Sequence, residues 1–500
     1  MGFAPANPMP VDSRAARRAA PHILPLIPMS QVPATVAQTL GAAASIANGS
    51  LTLKDEAALA GPMMDALVRL AVFGGADEQD WARWAIWECG RAVGTYSASI
   101  HDFYMARGRG DVPPVTVPAI NVRGAAYDTA RSIFRTAKKL NGGAFILEIA
   151  RSEIAYTEQR PAEYVAVMLA AALREGHRGP VFIQGDHFQV NAKKYKVDAK
   201  AEVGAVKQLA LEAISAGFYN IDIDTSTLVD LAHPTLDAQQ RLNFETAVEL
   251  TRYVRSLEPK GVTISLGGEI GEVGTENSTV PELEAFMDGY NRTLEAQAKG
   301  MVGLSKISVQ SGTSHGGVVL ADGSIADVAL DFKTLEDLSR VARAKYGLSG
   351  AVQHGASTLP ESAFFHFPRT ETAEIHLATG FQNMLYDHLP TALREEIYAW
   401  LRTNAAEERK AGDTDEQFFY KTRKKALGPF KRRLWDLPAE VKAELAKAYD
   451  AKFSFLFENL AVGGTAEGVR RYVKGPATTR PAPGAGPAVE AAPDDPDAGE

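Results

Sequence analysis

The amino-acid sequence predicts an α/β fold: a (β/α)8 TIM barrel with helical N- and C-terminal extensions. Two observations lead there. Between residues 115 and 378, eight short and mostly apolar runs alternate with segments of helical length. Four of those runs end in a histidine or glutamate: VFIQGDH at His187, VTISLGGE at Glu269, KISVQSGTSH at His315 and GAVQHG at His354. Apolar runs of four to eight residues bounded by Gly read as strands buried on both faces. Parallel α/β barrels carry their chemistry at the C-terminal ends of such strands.

Each element follows from its residues. Residues 1–30 are rich in Pro and Ala and read as irregular. From about 32 to 107 the spacing is helical, with Trp81, Trp84 and Trp87 recurring at intervals that suit a helix packed on a neighbouring unit. DVPPV at 111–115 ends that signal, so 1–110 is set apart as an N-terminal extension. The predicted strands are 115–122, 144–150, 180–186, 219–224, 262–268, 306–311, 350–354 and 373–378, in a barrel domain of 111–390. Helical periods lie between most of them. One is Val203, Val206, Leu209 and Ala213; another is Phe244, Ala247, Val248, Thr251 and Val254. The link at 359–370 shows no such period. Residues 391–474 read as a charged helical extension. The tail 475–500 has little beyond Pro, Ala, Gly and acid, and is expected to be disordered.

Composition narrows the class. Apolar residues at 45% and charged residues at 23% are ordinary for a globular enzyme. A net charge of −8 argues against nucleic acid as partner, and no apolar run reaches membrane-spanning length. The N-terminus has no compact apolar segment of the secretory kind, so the expected address is cytoplasmic. Cys89 is the only cysteine, which excludes an intrachain disulfide and a cysteine-based zinc cluster.

Imidazole nitrogen and carboxylate oxygen suit a Zn²⁺-type cation (Co²⁺ could replace it), and three protein ligands with one open position make a catalytic site. The expected metal ligands are therefore His187, Glu269, His315 and His354. Asp186 precedes the first of them, where a carboxylate could orient the histidine or move a proton. SGTSHGG and QHGAS place Gly and hydroxyl residues after two strands, where backbone N–H groups can cradle an anion. His376 ends the eighth strand. Lys306 opens the sixth strand, the wrong end for a Schiff-base lysine.

The order AINV, GDH, YNIDIDTS, GGEIG, GTSHGG, HGAS and IHLAT resembles the class II, metal-dependent fructose-bisphosphate and tagatose-bisphosphate aldolases, over about residues 113–390. That resemblance implies a zinc enzyme cleaving a ketose (bis)phosphate such as fructose 1,6-bisphosphate to dihydroxyacetone phosphate and glyceraldehyde 3-phosphate. It implies that Asp186 moves a proton on the C4 hydroxyl. Asn121, Gly316, Gly355, Ser357, His376 and Thr379 would meet substrate and its phosphate. Four positions depart from the family pattern. Glu374 and His376 stand for its Lys-x-Asn, Ala150 for a phosphate-binding serine, and Asn277 for a loop acid, with Glu276 one residue earlier as the substitute acid. The alternative is a non-catalytic, aldolase-like subunit that stabilises a partner enzyme. The implied partners are a small sugar phosphate and further copies of the chain in a homo-oligomer.

Overall fold

A computed structural model describes residues 31–271, 276–312, 320, 330–475, 478–486 and 489–496. The strands, in chain order, are β1 (Ala44–Ala47), β2 (Ser50–Leu53), β3 (Thr95–Ala98), β4 (Val117–Asn121), β5 (Ile146–Ala150), β6 (Gly179–Gln189), β7 (Asn220–Asp224), β8 (Ser265–Glu269), β9 (Lys306–Val309), β10 (Ala351–Gln353) and β11 (Glu374–Leu377). Strands β4 to β11 are parallel neighbours, and a β6–β7 pairing closes them into an eight-stranded barrel. All eight coincide with the apolar runs of the sequence. Nearly every residue of β4, β5 and β7 is buried, as strands covered on both faces must be. The link before β11 forms only a short 3₁₀ turn and the helix His366–Arg369, because Pro360 and Pro368 interrupt it.

The N-terminal extension is not purely helical, contrary to the periodic reading of 32–107. β1 and β2 form a hairpin whose two-residue turn, Asn48-Gly49, has both residues at positive φ. Asn-Gly supplies that geometry at low cost. β3 pairs in parallel with the lower half of β6, below the point where β7 joins. The helix His101–Gly108 then plugs the N-terminal end of the barrel. Its Arg107, 2% exposed, donates to the carbonyls of Val115, Ser349, Glu371 and Thr372. Those carbonyls belong to chain entering three different strands, so one buried guanidinium ties the barrel floor together.

The C-terminal helix Ala439–Asn459 packs on the helix Ala126–Leu140, with Arg135 gripping Asp450 through two bonds of 2.8 and 2.9 Å. The described part of the 475–500 tail makes specific contacts. Trp84 Nε1 donates to the Arg480 carbonyl at 3.1 Å and Trp87 Nε1 to that of Thr478 at 2.8 Å. The Arg480 guanidinium lies 3.3 Å above the Trp87 ring. From there the tail follows the helix Ala199–Ala216, meeting Glu212 and Gln208, to the top of the barrel. The composition suggested disorder because the tail lacks large apolar groups; its docking uses charge, a cation–π contact and backbone acceptors instead. Among the described residues no helix is long and apolar enough to cross a membrane.

Candidate metal centre and active site

Asp186 and His187 lie inside β6, not beyond its end, so simple alternation would send them to opposite faces. A register shift against β7 between Gly185 and Phe188 removes that constraint. His187 takes φ +40°, the left-handed region that a non-glycine residue rarely occupies, and the bulge turns both side chains toward the barrel interior. Gly185 is required there, since a Cβ would sit 2.4 Å from the Phe188 ring.

His187 and His354 face each other with ring centroids 4.2 Å apart. Glu269, at the end of β8, places a carboxylate oxygen 3.6 Å from His187 Nδ1. One donor atom each from His187, Glu269 and His354 fall within 4.8 Å of one another. Asp224 stands 3.2 Å from the same Nδ1 and is itself held by Gln189 and Ser226, which fixes the ring orientation. His315 and Gly316 lie outside the described residues.

Charge explains the protonation pattern. Burial and the neighbouring His376 and His187 hold His354 well below its usual pKa, so it is a neutral imidazole. Burial works against a charge on His187, but Asp186, Asp224 and Glu269 outweigh it and raise its pKa. Asp186 is also opposed by burial, yet His187 and His376 keep it well below the carboxylate range. Glu269 is pushed up to about 8 by burial and by Asp224. Two buried imidazoles and a partly buried carboxylate, needing a proton to balance them, are a donor set that a divalent cation fits.

A second polar layer was not anticipated. Lys306 Nζ, 1% exposed, bonds Gln184 at 2.9 Å and Asp222 at 2.9 Å, and also Glu374. Tyr104, from the N-terminal plug, donates to the other oxygen of Glu374. Glu148 accepts from Gln184 at 3.0 Å. The signal was present in FILEIA and YNIDID: an acid inside an apolar strand must find a buried partner. Lys306 is so tied. Burial opposes its charge, but Asp222 and Glu374 raise its pKa, which suits an ion pair and not a nucleophilic amine.

The expected substrate residues are distributed unevenly. His376 is not at the rim; it is buried, 5% exposed, between Glu148, Asp186, Asp222 and Glu374. Asn121 is buried at the end of β4, where its amide bonds Glu153 at 2.5 Å and its oxygen faces Arg123. Gly355, at φ +71°, turns the chain directly after His354. Ser357 Oγ accepts the Ala378 N–H at 2.5 Å, clasping the loop after β10 to the helix that begins at Thr379. Glu276 is exposed, and no described contact joins it to this cluster.

No curated protein sequence matches the chain. A fructose-bisphosphate aldolase from Campylobacter jejuni is 18% identical, with a TM-score of 0.42, over 73% of this chain and 94% of its own. A fructuronate-tagaturonate epimerase from Cohnella laeviribosi is 11% identical, with a TM-score of 0.49, over 70% and 82%. The family model for class II fructose-bisphosphate aldolase matches residues 114–433, from just before β4 into the C-terminal helices. The chain belongs to the class II fructose-bisphosphate aldolase family.

Proposed function

We propose that the chain is a zinc-dependent aldolase that reversibly cleaves a ketose (bis)phosphate, such as fructose 1,6-bisphosphate, to dihydroxyacetone phosphate and an aldehyde. The observation that supports this most is the meeting of His187, Glu269 and His354 beside Asp186 inside a closed barrel, all within the segment the family model matches. His187, Glu269 and His354 would hold the ion, with His315 as a further ligand. Bound there, a divalent cation supplies Lewis-acid stabilisation for the charge left on the ketone half when the carbon–carbon bond breaks.

The side chains do the rest. Asp186, kept ionised by the histidines around it, accepts the C4 hydroxyl proton in cleavage and returns it in condensation. Backbone amides after Gly355 and around Ser357 and Thr379 hold the phosphate, and that remote binding orients the reacting carbons. Glu276 would serve as the loop acid.

The test is direct. Chelator-treated protein should lose cleavage of fructose 1,6-bisphosphate, read by coupled detection of triose phosphate, and Zn²⁺ should restore it. His354→Ala should lose both zinc and turnover. Cleavage that survives complete metal removal, or a His354→Ala protein with full zinc and full activity, would sink the assignment.

A further inference from the structure

Tyr104 belongs to the N-terminal plug, outside the segment that the family model matches. It is fully buried, and its hydroxyl donates to Oε2 of Glu374 on β11. The helix that carries it is fixed to the strand it meets. Arg107, one turn on, bonds the Val115 carbonyl at 2.8 Å and that of Thr372, two residues before Glu374, at 2.9 Å.

Both oxygens of Glu374 are occupied. Oε1 accepts from Gln184 at 2.9 Å and from Lys306, while Oε2 has Tyr104 alone among the described residues. The last torsion of a glutamate is broad and roughly two-fold, so donors on one oxygen leave the carboxylate plane free to swing. A donor on the second oxygen fixes it. Glu374 is 0% exposed, so bulk water cannot take that donor's place.

What Glu374 holds is His376. Its Oε1 stands 2.8 Å from His376 Nε2, and the opposite ring nitrogen, Nδ1, stands 3.1 Å from Asp186 Oδ1. Among the described residues neither ring nitrogen forms an aligned hydrogen bond, and nor does Asp186 Oδ1. Charge and packing therefore place the ring, and its angle follows the carboxylates on its two sides. Of the three imidazoles near Asp186, His376 is the nearest; His354 stands at 3.7 Å and His187 at 3.9 Å.

We propose that Tyr104 is a positioning residue for the aldol reaction: its hydroxyl fixes the plane of Glu374, Glu374 sets the His376 ring, and the ring aims Asp186 at the substrate hydroxyl. No proton passes along this chain; each group only limits the angle of the next. The N-terminal extension then supports the reacting groups as well as closing the barrel floor. The inference rests on the reading of Asp186 as proton carrier. Proton transfer needs its two heavy atoms about 2.6–3.2 Å apart, so an angular error in that carboxylate lowers turnover before it weakens binding.

Tyr104→Phe keeps the ring and removes the hydroxyl. Its kcat should fall about tenfold with KM within about twofold of wild type, a smaller loss than the roughly 10²-fold that a 1 Å misplacement costs. Phe103→Leu, at a fully buried neighbour on the same helix, loosens the plug but leaves the Tyr104 hydroxyl in place, and its kcat should match wild type. In a His376→Asn background Tyr104→Phe should cost nothing further, since groups acting in series are not additive. A wild-type kcat in Tyr104→Phe, equal losses in Tyr104→Phe and Phe103→Leu, or an undiminished loss in the His376→Asn background overturns the proposal. The crystal structure of Tyr104→Phe gives a readout independent of any reaction. The Glu374 carboxylate should rotate and the His376 ring turn with it; unchanged positions overturn the proposal. Wild-type protein that cleaves no ketose phosphate would sink the aldolase reading instead, and the crystal structure then decides the positioning alone.

Discussion

Asp495, five residues from the end of the chain, sets its carboxylate 3.1 Å from the guanidinium of Arg151, the first residue after β5. Both side chains are almost wholly buried, at 1% and 4% exposure. Arg151 also binds Glu202 at 2.7 Å, and Lys194 reaches Asp495 at 2.9 Å. Ala150, the preceding residue, is paired in register with Asp186. Asp495 therefore lies beside the strand that is paired with Asp186.

Removing the tail should destabilise the protein. Truncation after Lys474 uncovers Trp87, deprives Arg160 of Asp494 and leaves Arg151 with one carboxylate fewer. Breaking a buried pair from one side costs roughly 3–5 kcal/mol, and Arg151 keeps Glu202, so the low end of that range is expected. Asp495→Asn should give a smaller loss. Denaturant unfolding of the two variants measures this; unchanged midpoints would mean that the tail is a passenger.

Asp186 is expected to matter for turnover more than for the fold. Asp186→Asn keeps the volume and loses the charge, so zinc at His187, Glu269 and His354 should remain. Turnover should fall by about 10²–10⁴, the usual worth of a general acid or base. Steady-state kinetics beside metal content decides it: loss of the His187-bound ion together with activity would make Asp186 a support for the metal and not a proton carrier.

The barrel was legible because its strands are continuous apolar runs, and a buried parallel strand has no other way to be written. The histidines were legible for the opposite reason, as polar groups ending those runs. What the runs conceal is register. GDH reads as a strand end, yet β6 continues to Gln189, and only the bulge at His187 brings both side chains inward. His376 reads as a rim residue because it is near a strand end; its ring is instead drawn down among carboxylates that were each one letter in an apolar word. Asn48-Gly49 was an available hairpin signal, masked by helical spacing on both sides. The docking of Arg480 on Trp87 could not be read at all, since a cation–π contact across 393 positions leaves no local pattern.

Lys306 should prove structural. Lys306→Met fits the same space but leaves Asp222 and Glu374 buried without their cation, an uncompensated pair worth roughly 3–5 kcal/mol. The variant should unfold at lower denaturant, and borohydride should trap no covalent adduct between the wild type and a ketose phosphate. Trapping at Lys306 would reverse that role and point to Schiff-base chemistry.

Acid should weaken the fold through two histidines outside the candidate metal centre. Burial, with Arg255 nearby, lowers His101 to about 4, and burial lowers His177 to about 4 as well. In the unfolded chain both would titrate near 6.5. As pH falls, the unfolded chain therefore takes up protons that the folded chain refuses. Their contribution to stability is full above about 6.5 and is lost progressively down to about 4, at roughly 3 kcal/mol for each. His101 Nδ1 has no hydrogen-bond partner among the described residues, so His101→Met removes the titration without breaking a bond there. The stability of this variant, measured by denaturant at pH 7.5 and at pH 5, should fall less between the two than that of the wild type. An equal fall in both proteins would show that His101 keeps an ordinary pKa in the folded state.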